Sequence, residues 1–281
     1  MAVASSPRRE STSRSHAHIW RNALAALLLI VAANAGAQEH ESGDLVELHH
    51  TDFHPGTLPN TIFVSVDYSN VTSFLGQGFA NGGAALQGAN TITRLVADDL
   101  TPNGVGAGTD VTQIKFSVAN FNAVPVTARA RIRFWLDNGS GAPGAYYSVP
   151  AAVGFSFNPF AFGPGVTILT GTIAPGQFTM PGVLFWAGIT FDDNNGTTGA
   201  TLTQMNNLGQ GLFDPPTVGT SADMGFQTTA AGSFFTTANP PGTVFNLGGN
   251  PITNFGWEFT TVGPVVPTNK STWGRIKNLY R

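Results

Sequence analysis

The stretch VTARARIRFWL, residues 126–136, decides the fold class, because the character of its side chains alternates from one residue to the next. Its polar side holds three arginines and a tryptophan: Arg129, Arg131, Arg133 and Trp135. Its other side holds only apolar residues: Ala130, Ile132, Phe134 and Leu136. A period of two residues is typical of a β-strand with one face against a core. The stretch therefore predicts a strand with a cationic outer face.

Five other segments are candidate strands, and several of them alternate in the same way. They are residues 61–67, 112–119, 166–173, 182–191 and 255–262. The chain has 34 glycines and 18 prolines, and Pro-Gly pairs typical of type II turns separate several of these segments. Alternating short strands favour antiparallel sheets with one dry face. We predict an all-β chain whose residues 60–262 form a single large domain, an antiparallel two-sheet sandwich of the jelly-roll or immunoglobulin-like kind.

The cationic strand raises the question of its counter-charge. The preceding strand, residues 112–119, is joined to it by a short turn, so we predict a hairpin that places Lys115 beside Arg129 or Arg131. Neither strand contains an acidic residue, so the cations need a partner. Glu258 or Asp67 on another neighbouring strand could supply it, and so could an external anion. The candidate binding residues are Lys115, Arg129, Arg131, Arg133 and Trp135.

Tryptophans occur in three of the predicted strands. Trp186 and Trp257 have apolar neighbours, which favours the core for both. Trp135 alternates with the arginines instead, and an exposed tryptophan there could stack on a sugar.

Both ends of the chain differ in composition from its body. Residues 1–37 carry arginines, the apolar run ALAALLLIVAANAGA and a small-residue cleavage site, which predicts a signal peptide and export. Residues 38–59 form an acidic tail with histidines that could bind zinc or copper or could simply be solvated. Residues 263–281 form a basic tail. Because cysteine is absent, a bacterial secreted or cell-surface protein is expected, with no transmembrane segment after cleavage.

Composition limits the chemistry of the body. No histidine lies beyond residue 54, so a Ser-His-Asp or Cys-His arrangement cannot form there. Nucleic-acid binding is not expected, since residues 60–262 contain only five basic residues and ten acidic ones. A hydrolase with two carboxylates stays possible. Its candidates are Asp98, Asp99, Asp137, Asp192, Asp193, Asp214, Asp223 and Glu258.

The turn sequence FDDNNG could hold a structural calcium ion, and no other cofactor is expected. Asp192, Asp193 and Asn194 offer oxygen ligands there. The regular calcium loop is missing its invariant glycine and its distal glutamate, so a solvated turn is the alternative.

The segment LFWAGITFDDNNGTTGATLTQMNNLGQG, residues 184–211, resembles uncharacterised secreted bacterial β-sandwich proteins rich in Gly, Asn, Thr and Phe, which often end in sorting tails of the PEP-CTERM kind. The resemblance covers residues 60–262. This chain departs from the sorting-tail pattern, because it has neither Pro-Glu-Pro nor a terminal apolar helix. The resemblance implies a surface or matrix role without catalytic residues.

These observations together predict an exported, non-enzymatic module at the cell surface or in the extracellular matrix. Its expected partner is a surface polysaccharide or another envelope component. A carbohydrate-active hydrolase with two carboxylates is the first alternative, and an outer-membrane β-barrel is the second. The sequence leaves the ligand and the oligomeric state open.

Overall fold

The computed structural model describes residues 38–40, 64–147, 154–229 and 238–263. In the first half the strands are β1 Gln38–His40, β2 Val64–Ser69, β3 Phe74–Ala80, β4 Ala85–Gln87, β5 Asn90–Ile92, β6 Val96–Leu100, β7 Val111–Asn120, β8 Val126–Asp137 and β9 Pro143–Tyr146. In the second half they are β10 Phe155–Ser156, β11 Phe160–Phe162, β12 Gly165–Thr172, β13 Phe185–Asp192, β14 Leu208–Phe213, β15 Gly225–Thr228, β16 Gly242–Phe245 and β17 Trp257–Val262, with one short helix, α1 Leu202–Asn206. The fold is the predicted all-β sandwich of two mainly antiparallel sheets.

The first sheet has seven strands arranged around β7. Strand β12 pairs along one edge of β7, and β1 pairs with β12 in parallel. Strands β17 and β14 both pair with the other edge of β7, at different positions along it. Strand β2 then pairs with β17, and β3 pairs with β14. The sheet therefore forks, and β2 and β3 lie on separate branches.

The second sheet has ten strands. Its order is β8, β13, β6, β15 and β16, and the short strands β9, β10 and β11 pair with β8 on its other side. Strand β5 pairs with the end of β13 and with β4. Strand β8, which carries the arginines, therefore pairs with short strands on one side and with β13 on the other.

The predicted hairpin of residues 112–119 with the arginine strand is wrong, because β7 and β8 belong to different sheets. The connection between them crosses from one sheet to the other, so their apolar faces oppose each other across the core. Phe134 of β8 contacts Phe259 of β17 with ring centroids 5.9 Å apart. Alternation sets which face of a strand is dry, and it does not set which strand lies beside it.

All six candidate strands are present, with ends shifted by at most three residues. The glycine-rich segment that begins at residue 208 forms β14, a fully buried strand between β7 and β3 that is not among the six candidate strands. Its glycines are used for close packing, since a Cβ at Gly209 would overlap the carbonyl oxygen of Phe79.

Helix α1 contacts β5 and β8 of the ten-stranded sheet. Its N-cap Thr201 and residue Gln204 form a capping box, in which each side chain accepts from the other residue's backbone N–H. Met205 packs into the core, and the carbonyl of Asn207, just past the helix, accepts from the backbone N–H of Phe121 at 2.9 Å. The helix end thereby fixes the turn that follows β7.

Candidate functional site

The arginines lie on the outer face of the ten-stranded sheet. Strands β8 and β13 pair so that Arg129 is opposite Asp192 and Arg131 is opposite Thr190. The residues between the arginines face the core, as their alternation predicted. The sequence therefore identified the correct face of β8.

Asp192 supplies the counter-charge of two of the arginines. The Nε atom of Arg129 donates to both carboxylate oxygens, at 2.9 and 3.1 Å, and the Nε atom of Arg131 donates to Oδ2. The backbone N–H of Asn194 donates to Oδ1 at 2.8 Å. Asp192 is fully buried, whereas the side chains of Arg129 and Arg131 keep 21% and 18% of their surface exposed. The internal partner was expected at Glu258 or Asp67, and for these arginines it is Asp192.

Arg133 is buried, with 6% of its surface exposed. Its Nη1 atom donates to the carbonyl of Ile132 at 2.7 Å and to that of Phe155 at 3.0 Å. Burial lowers the pKa of Arg133 to about 10, and Arg131 and Arg129 act in the same direction, while Tyr146 and Asp192 oppose the shift. Arg133 therefore stays charged at neutral pH while it tethers strand β10.

Trp135 shares the face of the arginines, yet it is 0% exposed. It belongs to a second apolar cluster on the outer face, with Leu95, Ala97, Trp186 and Phe226. The ring of Tyr146 packs edge-on against it, with centroids 5.7 Å apart. The expectation of an exposed stacking platform at Trp135 is therefore wrong, because outer-face residues of the neighbouring strands cover the ring. Trp186 is buried in this same cluster, and Trp257 lies in the core between the sheets.

Lys115 is separated from the arginines, because β7 lies in the seven-stranded sheet. It pairs with Glu258 of the adjacent β17 at 3.4 Å. Glu258 also accepts from the hydroxyl of Ser69 at 2.8 Å. The predicted role of Glu258 as a counter-charge thus holds for Lys115. Asp67 is buried and accepts from the backbone N–H of Gly106 and the hydroxyl of Thr261 instead.

The calcium candidates Asp192, Asp193 and Asn194 lie where β13 enters a turn. Burial raises the pKa of Asp193, but the hydrogen bond from the backbone N–H of Gly196, at 3.0 Å, and those from Thr91 together outweigh it, so the pKa of Asp193 is lowered. Across the described ranges no group of three or more His, Asp or Glu side chains is arranged to hold a metal ion. The oxygens of Asp192 serve the two arginines, and calcium binding at this turn stays a prediction.

Among the carboxylate candidates, Asp98 and Asp99 are adjacent in β6 and point to opposite faces of the sheet. Asp98 is 0% exposed and accepts from the backbone N–H of Phe255 at 2.8 Å. Burial raises the pKa of Asp98 well above its usual range, and the nearby Asp99 adds to this. Asp99 accepts from Ser221 and from the backbone of Ala222, at 3.1 and 2.9 Å. Two side chains on opposite faces cannot flank one glycosidic bond.

A pocket of about 150 Å³ opens on the outer face of the seven-stranded sheet, where β3, the end of β7 and the start of β12 meet. Its lining is aromatic, apolar and amide-rich, comprising Phe74, Gly76, Gln77, Gly78, Ala119, Asn120, Phe121, Asn122, Pro164, Gly165 and Val166. Phe74 and Phe121 are partly exposed. Phe213, which is fully buried, supports Phe74 at a centroid distance of 5.0 Å.

A β-bulge in β3 shapes this pocket. Gly78 pairs with Gly211 and Phe74 pairs with Phe213, so three residues of β3 lie opposite a single residue of β14. Such an insertion bends the strand outward. Gly76, with a φ of 74°, lies within the bulge, and a Cβ at Gly78 would come within 2.9 Å of the Phe121 ring. Glycine at both positions thus permits the bend and the close approach of Phe121.

Gln77 gives the pocket a polar group. Its Oε1 atom is buried and has no hydrogen-bond partner among the described residues. Buried polar atoms are nearly always paired in proteins, so an acceptor in this state favours a ligand or solvent donor. Asn120 differs, because its amide nitrogen donates to the carbonyls of Val124 and Phe162. Asn120 is therefore structural, whereas the Oε1 atom of Gln77 is buried without a hydrogen-bond partner among the described residues.

Sequence reasoning missed Phe74, Gln77 and Phe121. One signal was present, since Phe121 stands alone among polar and small residues directly after β7, in the sequence ANFNAVP. Its partners on β3 could not be found, because the bulge and the pairing of β3 with β14 depend on tertiary packing. No helix in the described part of the chain is long and apolar enough to cross a membrane. No family model, curated protein or solved structure matches the chain.

Proposed function

We propose that this chain is an exported, non-enzymatic β-sandwich module that binds a surface or matrix polysaccharide through the pocket between β3, β7 and β12. The observation that carries the proposal is the combination, in the lining of one concave site, of two partly exposed phenylalanine rings with an amide whose buried oxygen has no partner among the described residues. Sugar rings present apolar C–H faces and hydroxyl donors, and such a lining complements both.

The arrangement of the pocket also suits binding rather than catalysis. Its lining contains no Asp, Glu, His, Lys or Arg, so no lining side chain can act as a general acid or base. Phe74 is held by Phe213, and the position of Phe121 is fixed through Gly78 and the carbonyl of Asn207. Rings that are already held in place lose little entropy when a ligand binds.

The test is retention of purified protein on a panel of insoluble neutral polysaccharides, followed by affinity titration with soluble oligosaccharides of any polymer that binds. We expect Phe121→Ala and Gln77→Ala each to weaken binding about tenfold, since each removes one contact group. Leu86→Ala is the matched control, because Leu86 is 71% exposed on β4, away from the pocket lining, and this change should leave affinity unaltered. Wild-type protein that binds none of these polymers, or equal affinity in all variants, would refute the proposal.

A further inference from the structure

The side-chain amides in the lining of the aromatic pocket differ in whether the protein already uses them. Asn120 donates to two backbone carbonyls, and its Oδ1 atom accepts from the backbone and side-chain N–H groups of Asn122 at 2.9 and 2.8 Å. The side chain of Asn122 also donates to the carbonyl of Gln204 at 3.1 Å and accepts from Asn207 at 3.3 Å. Both asparagine amides are therefore used within the protein, in the turn after β7.

Gln77 is the third side-chain amide of the lining, and it is partly exposed. Its Oε1 atom is enclosed and has no hydrogen-bond partner among the described residues. The terminal torsion of a glutamine is broad, so rotation about it turns the amide toward the pocket at little cost. The ring of Phe121 lies beside this amide, because a Cβ at Gly78, the next residue along β3, would come within 2.9 Å of it. A ligand group against Phe121 is thus placed to pair with Gln77.

Size and polarity limit what can enter this pocket. Its volume is about 150 Å³, and a closed apolar cavity of about that volume holds a single benzene molecule. Most of the remaining lining is apolar, namely Phe74, Phe121, Ala119, Pro164 and Val166. A hydroxyl group buried here without a partner would lose its hydrogen bonds to water. The lining therefore favours one small substituent that is apolar at its tip and carries few polar atoms.

We propose that the pocket binds the acetamido group of an N-acetylated sugar. The acetyl methyl group packs against the rings of Phe74 and Phe121, and the amide N–H donates to the amide oxygen of Gln77. An acetamido group is neutral, which suits a lining without Asp, Glu, His, Lys or Arg, since a buried charge would lack a counter-charge there. This inference rests on the proposed function, and it names the chemical group that the pocket selects.

The test is isothermal titration calorimetry of purified protein with three trisaccharides that share a β-1,4-linked backbone and differ at C2. Cellotriose carries hydroxyl groups there, triacetylchitotriose carries acetamido groups, and chitotriose carries amines. We expect triacetylchitotriose to bind about tenfold more tightly than cellotriose, roughly the effect of one additional hydrogen bond. Chitotriose should bind no better than cellotriose, because an amine lacks the acetyl methyl group and the amide.

One variant and its matched control assign the preference to Gln77. Gln77→Leu keeps a side chain of similar size and removes the amide, so the ratio of the affinities for triacetylchitotriose and cellotriose should fall to about one. A general loss of folded protein would lower both affinities together and leave this ratio unchanged. Gln87→Leu makes the same substitution at an exposed position of β4, outside the pocket lining, and should keep the wild-type ratio.

Two results would overturn the acetamido site. One is a wild-type protein that binds cellotriose or chitotriose as tightly as triacetylchitotriose. The other is a Gln77→Leu variant that keeps the wild-type affinity ratio.

The inference and the proposed function fail in different ways. If the three sugars bind equally or not at all, while a polysaccharide is retained in a Phe121-dependent manner, the acetamido site is wrong and the proposed function stands. If triacetylchitotriose binds most tightly while Phe121→Ala and Gln77→Leu have no effect, the pocket is not the binding site and both are wrong. If neither these sugars nor any polysaccharide binds, both are wrong as well.

Discussion

At the residue scale, Asp98 is a carboxyl group that is fully removed from water. It faces the core between the sheets, where its Oδ2 accepts from the backbone N–H of Phe255 and its Oδ1 has no partner among the described residues. Burial raises its pKa well above the usual range. The folded protein therefore binds a proton at this position more readily than the unfolded chain does.

This difference makes stability depend on pH. A carboxyl group whose pKa is raised by folding contributes stability that is complete below its unfolded-state pKa and is lost as the pH rises through the folded-state value. We expect Asp98→Asn to raise the melting temperature at pH 7–8 and to flatten its decline between pH 5 and 8, because the amide can still accept from Phe255. Each kcal/mol gained corresponds to a rise of about 2–4 °C.

The measurement is thermal unfolding between pH 4.5 and 8. Asp110→Asn is the control for loss of one negative charge, since Asp110 is only partly buried. A lower melting temperature of Asp98→Asn across the whole range would contradict a raised pKa of Asp98. The pKa of Asp99 is raised by burial as well, so Asp99 should also lower the stability of the fold as the pH rises.

The counter-charges show which ion pairs the sequence pattern could predict and which it could not. Glu258 was named from the sequence as a partner for the cations, and it pairs with Lys115. Asp192 was assigned to a turn with possible calcium binding, and its role beside Arg129 and Arg131 went unrecognised. Its distance from those arginines along the chain, 63 and 61 residues, explains the omission, because only the β8–β13 register brings the groups together.

At the element scale, glycine allows the buried strand β14 to pack closely against β3. A Cβ at Gly209 would overlap the carbonyl oxygen of Phe79 and lie 2.7 Å from the Cα atom of Ala80. Both neighbours are backbone atoms, which cannot rotate away as a flexible side chain can. The close spacing of β14 and β3 positions the bulge that opens the aromatic pocket.

We expect Gly209→Ala to destabilise the protein by about 1–3 kcal/mol, the usual cost of inserting a methyl group into a packed interior. Chemical denaturation measures this change. Gly163→Ala is the matched control, since a Cβ at Gly163 would contact nothing within 4 Å. Equal stability of the two variants would mean that β3 and β14 are not as close as described here.

At the scale of the whole molecule, the fold depends on pairing between distant parts of the chain. Strand β17, near the end of the described residues, lies between β7 and β2 in the seven-stranded sheet. Its Trp257 and Phe259 are fully buried in the core. The last strand of the described residues is therefore an interior strand of that sheet.

Truncation tests this arrangement. A chain that ends at residue 250 should fail to fold, because β2 and β7 would both lose a partner and the core would lose three large aromatic residues, Phe255, Trp257 and Phe259. A chain that ends at residue 263 keeps β17 and should unfold cooperatively at the wild-type denaturant midpoint. Circular dichroism and urea titration distinguish the two, and a folded chain ending at residue 250 would contradict the topology.

The sequence by itself determined the all-β class, the six alternating strands and the inward and outward faces of β7, β8 and β17, because a period of two residues is a local property. Tertiary structure decided the rest. It placed β7 and β8 in different sheets, buried Trp135, paired Asp192 with two arginines and assembled the pocket from Phe74, Gln77 and Phe121. The physical reason is that strand partners are chosen by packing of the whole core, and alternation within one strand carries no information about its neighbour.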